Sequence, residues 1–161
     1  MAHRYNELNL ESARYHSHAT LPSNSIAADD NMSSRRFSVL IVDDSAYNLF
    51  VMKELMTMLP IVSHIETALN GVEAIAAVKA HEAFDIIFLD IHMPIMDGNQ
   101  TVKALREMHM QNEIDLSQTK IIALSAITDE QFREQENNHM MFDSFMEKPV
   151  EFERLRSLFY N

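Results

Sequence analysis

The stretch that most constrains this chain is FDIIFLDIHMPIMDG, residues 84–98. Its apolar core, residues 86–89, ends at the carboxylate of Asp90, and the chain then turns at Met93-Pro94. A short, wholly apolar run between turn residues is typical of a strand buried on both faces, although the pattern alone also permits a buried helix. In a parallel sheet, Asp90 would lie at the carboxyl end of its strand, where open α/β sheets build their sites.

Composition and charge limit the classes of function. With 161 residues and 47% hydrophobic content, the chain is expected to form one domain with a sizeable core. Its net charge of −11 argues against a nucleic-acid groove or an anionic membrane face, because binding phosphate groups requires positive charge. There is no cysteine, no signal-peptide core and no apolar run of the roughly 20 residues that a spanning helix needs. We therefore expect a soluble, cytoplasmic protein.

The first 36 residues differ from the rest of the sequence. They are rich in Ser, Asn, His and Ala and show little hydrophobic periodicity. Such a composition favours a flexible tail, with a helix that forms on a partner as the alternative. The sequence thus divides into an N-terminal tail, 1–36, and a folded domain, 37–161.

Strand and helix patterns alternate through the folded domain. Strands are predicted over 37–42, 62–68, 84–89, 120–124 and 142–146. Helices are predicted from Ser45 to Pro60, from Asn70 with Val72, Ile75, Ala76 and Val78 as the buried stripe, over 99–109, from Thr128, and over 151–159. Five such units with right-handed crossovers predict a doubly wound, flavodoxin-like α/β fold with a five-stranded parallel sheet. The expected strand order is 2-1-3-4-5, with the second strand at the edge.

Polar side chains follow four of these strands at the points where the strands end. They are Asp43, Asp44, Asp90, Ser125 and Lys148. The expected strand order makes these four strands neighbours, so the side chains converge on one crevice. Two carboxylates about 4 Å apart repel by on the order of 4 kcal/mol at an effective dielectric near 20, so cations are required. Lys148 is one, and the oxygen ligands favour Mg²⁺ as the second.

Five motifs in order resemble the receiver domains of two-component response regulators. They are VDDS at 42–45, NGVEA at 70–74, FLDIHMPIMDG at 88–98, ALSA at 123–126 and FMEKP at 145–149. The likeness covers residues 37–161, and the first helix, with Asn48, is similar to receivers of hybrid histidine kinases. The resemblance implies a phosphorelay module that takes a phosphoryl group from a phosphohistidine.

The resemblance also implies a role for each matched residue. Asp90 is expected to be the phosphoacceptor, and Lys148 and the Ser125 hydroxyl are expected to bind phosphoryl oxygens. Mg²⁺ is expected to bind Asp44 and Asp90 directly, Asp43 through water, and the main-chain carbonyl of His92. Phe145 takes the aromatic switch position, with plain core packing as the alternative, and Lys148-Pro149 is the candidate cis bond.

Partners follow from the same resemblance. A histidine kinase or histidine phosphotransfer protein is expected to load Asp90, and a downstream protein is expected to bind the face of the fourth helix, fifth strand and last helix. A turnover enzyme is not implied. Two alternatives remain open: a constitutive binding module that ignores phosphorylation, and a phosphohydrolase of the haloacid dehalogenase type. The second needs a DxD motif after the first strand, which Val42-Asp43-Asp44-Ser45 lacks.

Overall fold

The computed structural model of the chain describes residues 35–81, 83–126 and 141–160. Most of the predicted tail and most of the helix predicted from Thr128 lie outside these residues. Within them, five strands form one parallel sheet: β1 (Phe37–Val42), β2 (Val62–Ala68), β3 (Ile86–Asp90), β4 (Lys120–Ser125) and β5 (Ser144–Glu147). Four helices accompany it: α1 (Ala46–Thr57), α2 (Gly71–Ala80), α3 (Gly98–Met110) and α4 (Phe152–Tyr160).

The strand order is β2-β1-β3-β4-β5, which confirms the predicted fold class and places β2 at the edge. All five residues of β3 are buried, as expected for a strand with neighbours on both sides and helices on both faces. The strand predicted to begin at Phe142 starts two residues later in the structure, at Ser144.

Alternate residues of the strands pack into two apolar layers, one on each face of the sheet. Leu40 and Leu89 pack with α2 and α3 in one layer. Ile41 and Phe88 pack with α1 and α4 in the other. Burying a side chain of this size stabilises the fold by about 2 kcal/mol, so packing on both faces fixes the positions of the strands.

The buried face of α2 differs from the predicted one. Val72 is 54% exposed and Ala76 is also exposed, so these two predictions were wrong. Val78 is buried as predicted and Ile75 is half-buried against the core, and Ala74 and Ala77 complete the buried stripe. In a helix this rich in alanine, several faces are apolar, and close approach to the sheet selects the one with the smallest side chains.

Residues 111–119 connect α3 to β4, and the sequence MQNEIDLSQT over 110–119 predicts a polar loop here. Two apolar residues of the loop pack against the core: Leu116, which is 4% exposed, and Ile114, which is half-buried. The Leu116 N–H donates to Nδ1 of His109, at 3.2 Å, and the Thr119 hydroxyl donates to the carbonyl of Phe84, at 2.7 Å. These contacts hold the start of β4 in register with β3.

In the part of the chain that the structure describes, none of the helices combines the length and the apolarity that crossing a membrane requires.

Candidate functional site

The carboxyl ends of β1, β3, β4 and β5 meet at one edge of the sheet. The register pairs Val42 with Leu89, Asp90 with Leu124, and Ser125 with Glu147. The residues that end each strand or follow it directly are therefore brought level. This register places Asp43, Asp90 and Lys148 around one crevice.

The turn after β1 separates two neighbouring acids by burial. Asp43 is 1% exposed, whereas the next residue, Asp44, is exposed. Ser45 then caps α1 with its hydroxyl, which accepts from the Asn48 N–H. A buried acid and an exposed acid at the start of one helix can present carboxylate oxygens to the same point from two depths.

A single ammonium group joins the acids of two strands. Lys148 Nζ lies 2.5 Å from Asp43 Oδ2 and 2.7 Å from Asp90 Oδ2. The lysine side chain is 18% exposed and the two carboxylates less than that, so these ion pairs are only weakly screened by solvent. Lys148 reaches the crevice because its own N–H bonds the carbonyl of Ser125, at 2.7 Å, which ties the end of β5 to the end of β4.

Burial and charge shift two protonation equilibria in the crevice. Burial raises the pKa of Asp90 above its ordinary value, although the hydrogen bond and charge of Lys148 act in the opposite direction. Burial acts to lower the pKa of Lys148, but hydrogen bonds to Asp43 and Asp90 outweigh it and raise that pKa. The lysine therefore stays charged, and the crevice carries more negative charge than its one ammonium compensates.

The acids fit a small divalent cation. Carboxylate oxygens of Asp43, Asp44 and Asp90 lie within 4.8 Å of one another, close enough to share one ion. Three carboxylates against one ammonium leave an excess of negative charge, and an all-oxygen donor set matches Mg²⁺. On both counts the residues present fit the ion that the sequence predicted.

The turn after β3 packs directly beneath Asp90. The N–H of Gly98 donates to the carbonyl of Ile91, at 2.9 Å. A Cβ on Gly98 would lie 2.4 Å from the Asp90 carbonyl oxygen, so this position requires glycine for its close approach. Asp97 and Gln100 form a capping box at the start of α3. Asp97 thus caps α3.

The remaining predicted residues are His92, Ser125 and Phe145, and Phe145 packs against the apolar layer that holds α2 and α3. The N–H of His92 donates to Asp90 Oδ1, at 3.2 Å, while the residue itself is exposed. Ser125 ends β4. Phe145 is half-buried on β5, and its ring lies 5.7 Å from that of Phe142. The Lys148-Pro149 peptide bond is cis, as the resemblance implied.

Asn48 contacts the site but was not among the predicted site residues. Its Nδ2 donates to both oxygens of Asp43, at 3.0 and 3.2 Å. The spacing could have indicated this contact, because helical side chains tilt toward the N-terminus and Asn48 lies in the first turn of the helix that follows Asp43. Sequence reasoning used Asn48 only as a mark of resemblance.

Comparison with known proteins identifies the family. The model described as the response regulator receiver domain matches residues 39–160. The chain belongs to this family.

Curated relatives of this receiver include both large kinases and a protein of similar size. Hybrid signal transduction histidine kinase A of Dictyostelium discoideum is 36% identical over 115 residues, which cover 71% of this chain and 5% of the kinase. Hybrid signal transduction histidine kinase E of the same organism is 33% identical over 123 residues, 76% of this chain and 7% of the kinase. Two-component response regulator 24 of Arabidopsis thaliana is 30% identical over 133 residues, 81% of this chain and 86% of the regulator. The receiver thus spans only a small part of the two kinases.

Solved structures show the same fold. The chemotaxis response regulator CheY4 of Vibrio cholerae is 30% identical with a TM-score of 0.63, over 76% of this chain and 96% of that one. The receiver domain of the Arabidopsis thaliana histidine kinase CKI1, solved in complex with Mg²⁺, is 25% identical with a TM-score of 0.62, over 77% and 93%.

Proposed function

We propose that this receiver takes a phosphoryl group from a phosphohistidine onto Asp90, with Mg²⁺ bound beside it, and passes on a signal through protein contacts. The observation that carries the proposal is the ammonium of Lys148, 2.7 Å from Asp90 Oδ2 and 2.5 Å from Asp43 Oδ2. A carboxylate that must accept a phosphoryl group needs positive charge next to it, and phosphoryl transfer depends chiefly on such charge and on in-line placement.

The proposed step needs no acid–base pair from the protein. A carboxylate oxygen of Asp90 attacks phosphorus, the phosphorus–nitrogen bond of the phosphohistidine breaks, and the imidazole leaves with the bonding electrons and takes a proton from solvent. Lys148 shifts from the carboxylates toward a phosphoryl oxygen. Burial of Asp90, which is 6% exposed, keeps water away from the new acyl phosphate.

The acids of the crevice would hold the metal ion. Asp44 and Asp90 would bind it directly, Asp43 would act through water, and the main-chain carbonyl of His92 would complete the protein ligands. When bound, Mg²⁺ neutralises charge on the phosphoryl oxygens and orients them. Carboxylate oxygens of Asp43, Asp44 and Asp90 lie within 4.8 Å of one another, which supports these three acids as ligands.

The response to phosphorylation would start at Ser125 and Phe145. The Ser125 hydroxyl would move to a phosphoryl oxygen, and the ring of Phe145 would turn inward. The surface that changes would be the one formed by the helix predicted from Thr128, by β5 and by α4. We propose this surface as the site for a downstream partner, which makes the chain a signalling module and not a turnover enzyme.

The phosphodonor would be a histidine kinase or a histidine phosphotransfer protein in the cytoplasm. Large exposed apolar side chains on α1 and in the turn after β3 support a protein donor: Tyr47 is 74% exposed, Phe50 62% and Ile95 81%. A groove of about 190 Å³ between α1 and Pro149 opens beside Asp43 and Lys148. Exposed apolar surface of this kind is typical of protein-binding faces.

Beryllofluoride, which mimics a phosphoryl group on a carboxylate, tests the proposal. We expect beryllofluoride with Mg²⁺ to shift the amide resonances of His92, Ser125 and Phe145, and we expect no response from Asp90→Asn. The matched control is Asp97→Asn, which changes a nearby acid that caps α3 and should respond like the wild type. A folded wild-type chain without any response, bound by its partner equally well as Asp90→Asn, would instead identify a constitutive binding module.

A further inference from the structure

Asn48 donates hydrogen bonds to both carboxylate oxygens of Asp43, an acid of the proposed magnesium site. Asp43 is almost fully buried, and four contacts converge on its carboxylate. Oδ1 accepts from the Ser45 N–H, at 2.9 Å, and from Asn48 Nδ2, at 3.0 Å. Oδ2 accepts from Asn48 Nδ2, at 3.2 Å, and from Lys148, at 2.5 Å. Asn48 is the one side chain in the described ranges that bonds both oxygens.

Lys148 cannot serve Asp43 and a phosphoryl group equally well at the same time. Its ammonium is shared by Asp43 and Asp90 in the structure. A metal ion beside the acids would repel this ammonium, and a phosphoryl oxygen would attract it. In both cases Asp43 loses part of its only cationic contact among the described residues, and a buried carboxylate without partners is costly.

A neutral amide at position 48 suits this exchange. It donates to Asp43 whether or not Lys148 is close, and it adds no charge that would compete with a metal ion. The start of α1 fixes the amide, because the backbone N–H of Asn48 bonds the capping hydroxyl of Ser45, at 3.4 Å. The side chain then points back toward the turn that carries Asp43, as helical geometry requires.

We propose that Asn48 is a positioning residue that keeps Asp43 oriented for Mg²⁺ while Lys148 moves between the acids and a phosphoryl group. The proposal deepens the proposed function and rests on its metal site. Partners that orient metal-binding carboxylates typically change metal affinity by 10-fold to 100-fold when they are removed. A side chain at position 48 that cannot donate hydrogen bonds to Asp43 should therefore weaken Mg²⁺ binding without abolishing the fold.

Isothermal titration calorimetry of the full chain with Mg²⁺ alone measures the Mg²⁺ affinity directly. We expect the dissociation constant for Mg²⁺ to rise about tenfold in Asn48→Ala and in Asn48→Leu, the second of which keeps the branched shape of the side chain but cannot donate a hydrogen bond. Lys53→Gln, at an exposed position of the same helix, is the control and should stay within about twofold of the wild type.

A second readout separates positioning from a purely structural role. In labelling with acetyl phosphate, the Mg²⁺ concentration for half-maximal rate should rise about tenfold in both variants. The rate at saturating Mg²⁺ should change much less, because the bound ion then orders Asp43. A structural role alone would lower the melting temperature and leave the half-maximal Mg²⁺ concentration unchanged.

The outcomes distinguish this inference from the function on which it rests. Mg²⁺ affinity within about twofold of the wild type in either folded variant would overturn the positioning role, as would loss of cooperative unfolding in both. A wild-type chain that binds Mg²⁺ with the expected dependence on Asn48, but is not labelled at Asp90, would overturn the phosphoacceptor function alone. A wild-type chain that does not bind Mg²⁺ would overturn both.

Discussion

The fold disfavours the ionised form of Asp90, although the proposed phosphoryl transfer requires that form. Burial raises its pKa, and the nearby Asp43 charge acts in the same direction, against the stabilising ammonium of Lys148. The folded chain thus binds a proton at Asp90 more tightly than the unfolded chain does. Ionised Asp90 therefore lowers the free energy of unfolding, a cost of the kind that proteins accept at functional sites.

Asp90→Asn should raise the free energy of unfolding at neutral pH by on the order of 1 kcal/mol when Mg²⁺ is removed by a chelator. The gain should shrink as the pH falls through the raised pKa of Asp90. The gain should vanish below the pKa that the Asp90 carboxyl has in the unfolded chain, about 4, because the carboxyl is then protonated in both states. Urea unfolding over this pH range measures the effect.

Asp115→Asn provides a control of opposite sign. The Ser117 N–H bonds the Asp115 carboxylate, at 2.9 Å, and lowers the pKa of that exposed acid. Its contribution to stability is present above the unfolded pKa and is lost as the pH falls through the lowered one. Asp115→Asn should thus lower stability at neutral pH. A gain at Asp90→Asn that does not change with pH would contradict the assigned electrostatics.

At the scale of the elements, the turn between β3 and α3 determines where Asp90 lies. Gly98 lets the start of α3 pack against the Asp90 and Ile91 backbone, and the capping box of Asp97 begins the helix there. The helix and the strand end therefore move together. A change in their separation would displace the Asp90 carboxylate from Lys148.

Gly98→Ala should lower the free energy of unfolding by about 2 kcal/mol, because its Cβ would overlap backbone atoms of Asp90 that cannot rotate away. Mg²⁺ affinity should fall with it, since the strand end must shift. Lys103→Ala, at an exposed position of α3, is the control and should change neither quantity appreciably. Thermal unfolding and Mg²⁺ titration check both effects, and wild-type stability in Gly98→Ala would show that the turn is not close-packed in solution.

The sequence predicted the strands and their order because apolar runs that end in polar residues carry a strong signal. It failed on the face of α2, since Val72 and Ala76 are as apolar as the alanines that are buried. It also predicted that Asp43, Asp44, Asp90 and Lys148 lie close together, because parallel strands end at one edge. It did not predict the contact between Asn48 and Asp43, although the position of Asn48 in the first turn of α1 is compatible with that contact.

At the scale of the whole molecule, the sheet order carries the account. Lys148 lies 105 residues after Asp43 in the sequence, and their contact depends on the β3 and β4 strands placed between β1 and β5. The family match over residues 39–160 and the receiver structures agree with this arrangement. Under the proposed function, a phosphoryl group on Asp90 would act on β5 through Lys148, which contacts both Asp43 and Asp90.

The most direct test of the central claim is the mass of the chain after incubation with acetyl phosphate, with Mg²⁺ and with a chelator. We predict that one phosphoryl group is added only when Mg²⁺ is present, that peptide mapping assigns it to Asp90, and that Asp90→Asn stays unmodified while Asp97→Asn is modified like the wild type. A folded chain that gains no phosphoryl group with Mg²⁺, or that carries it at another residue, would contradict the account.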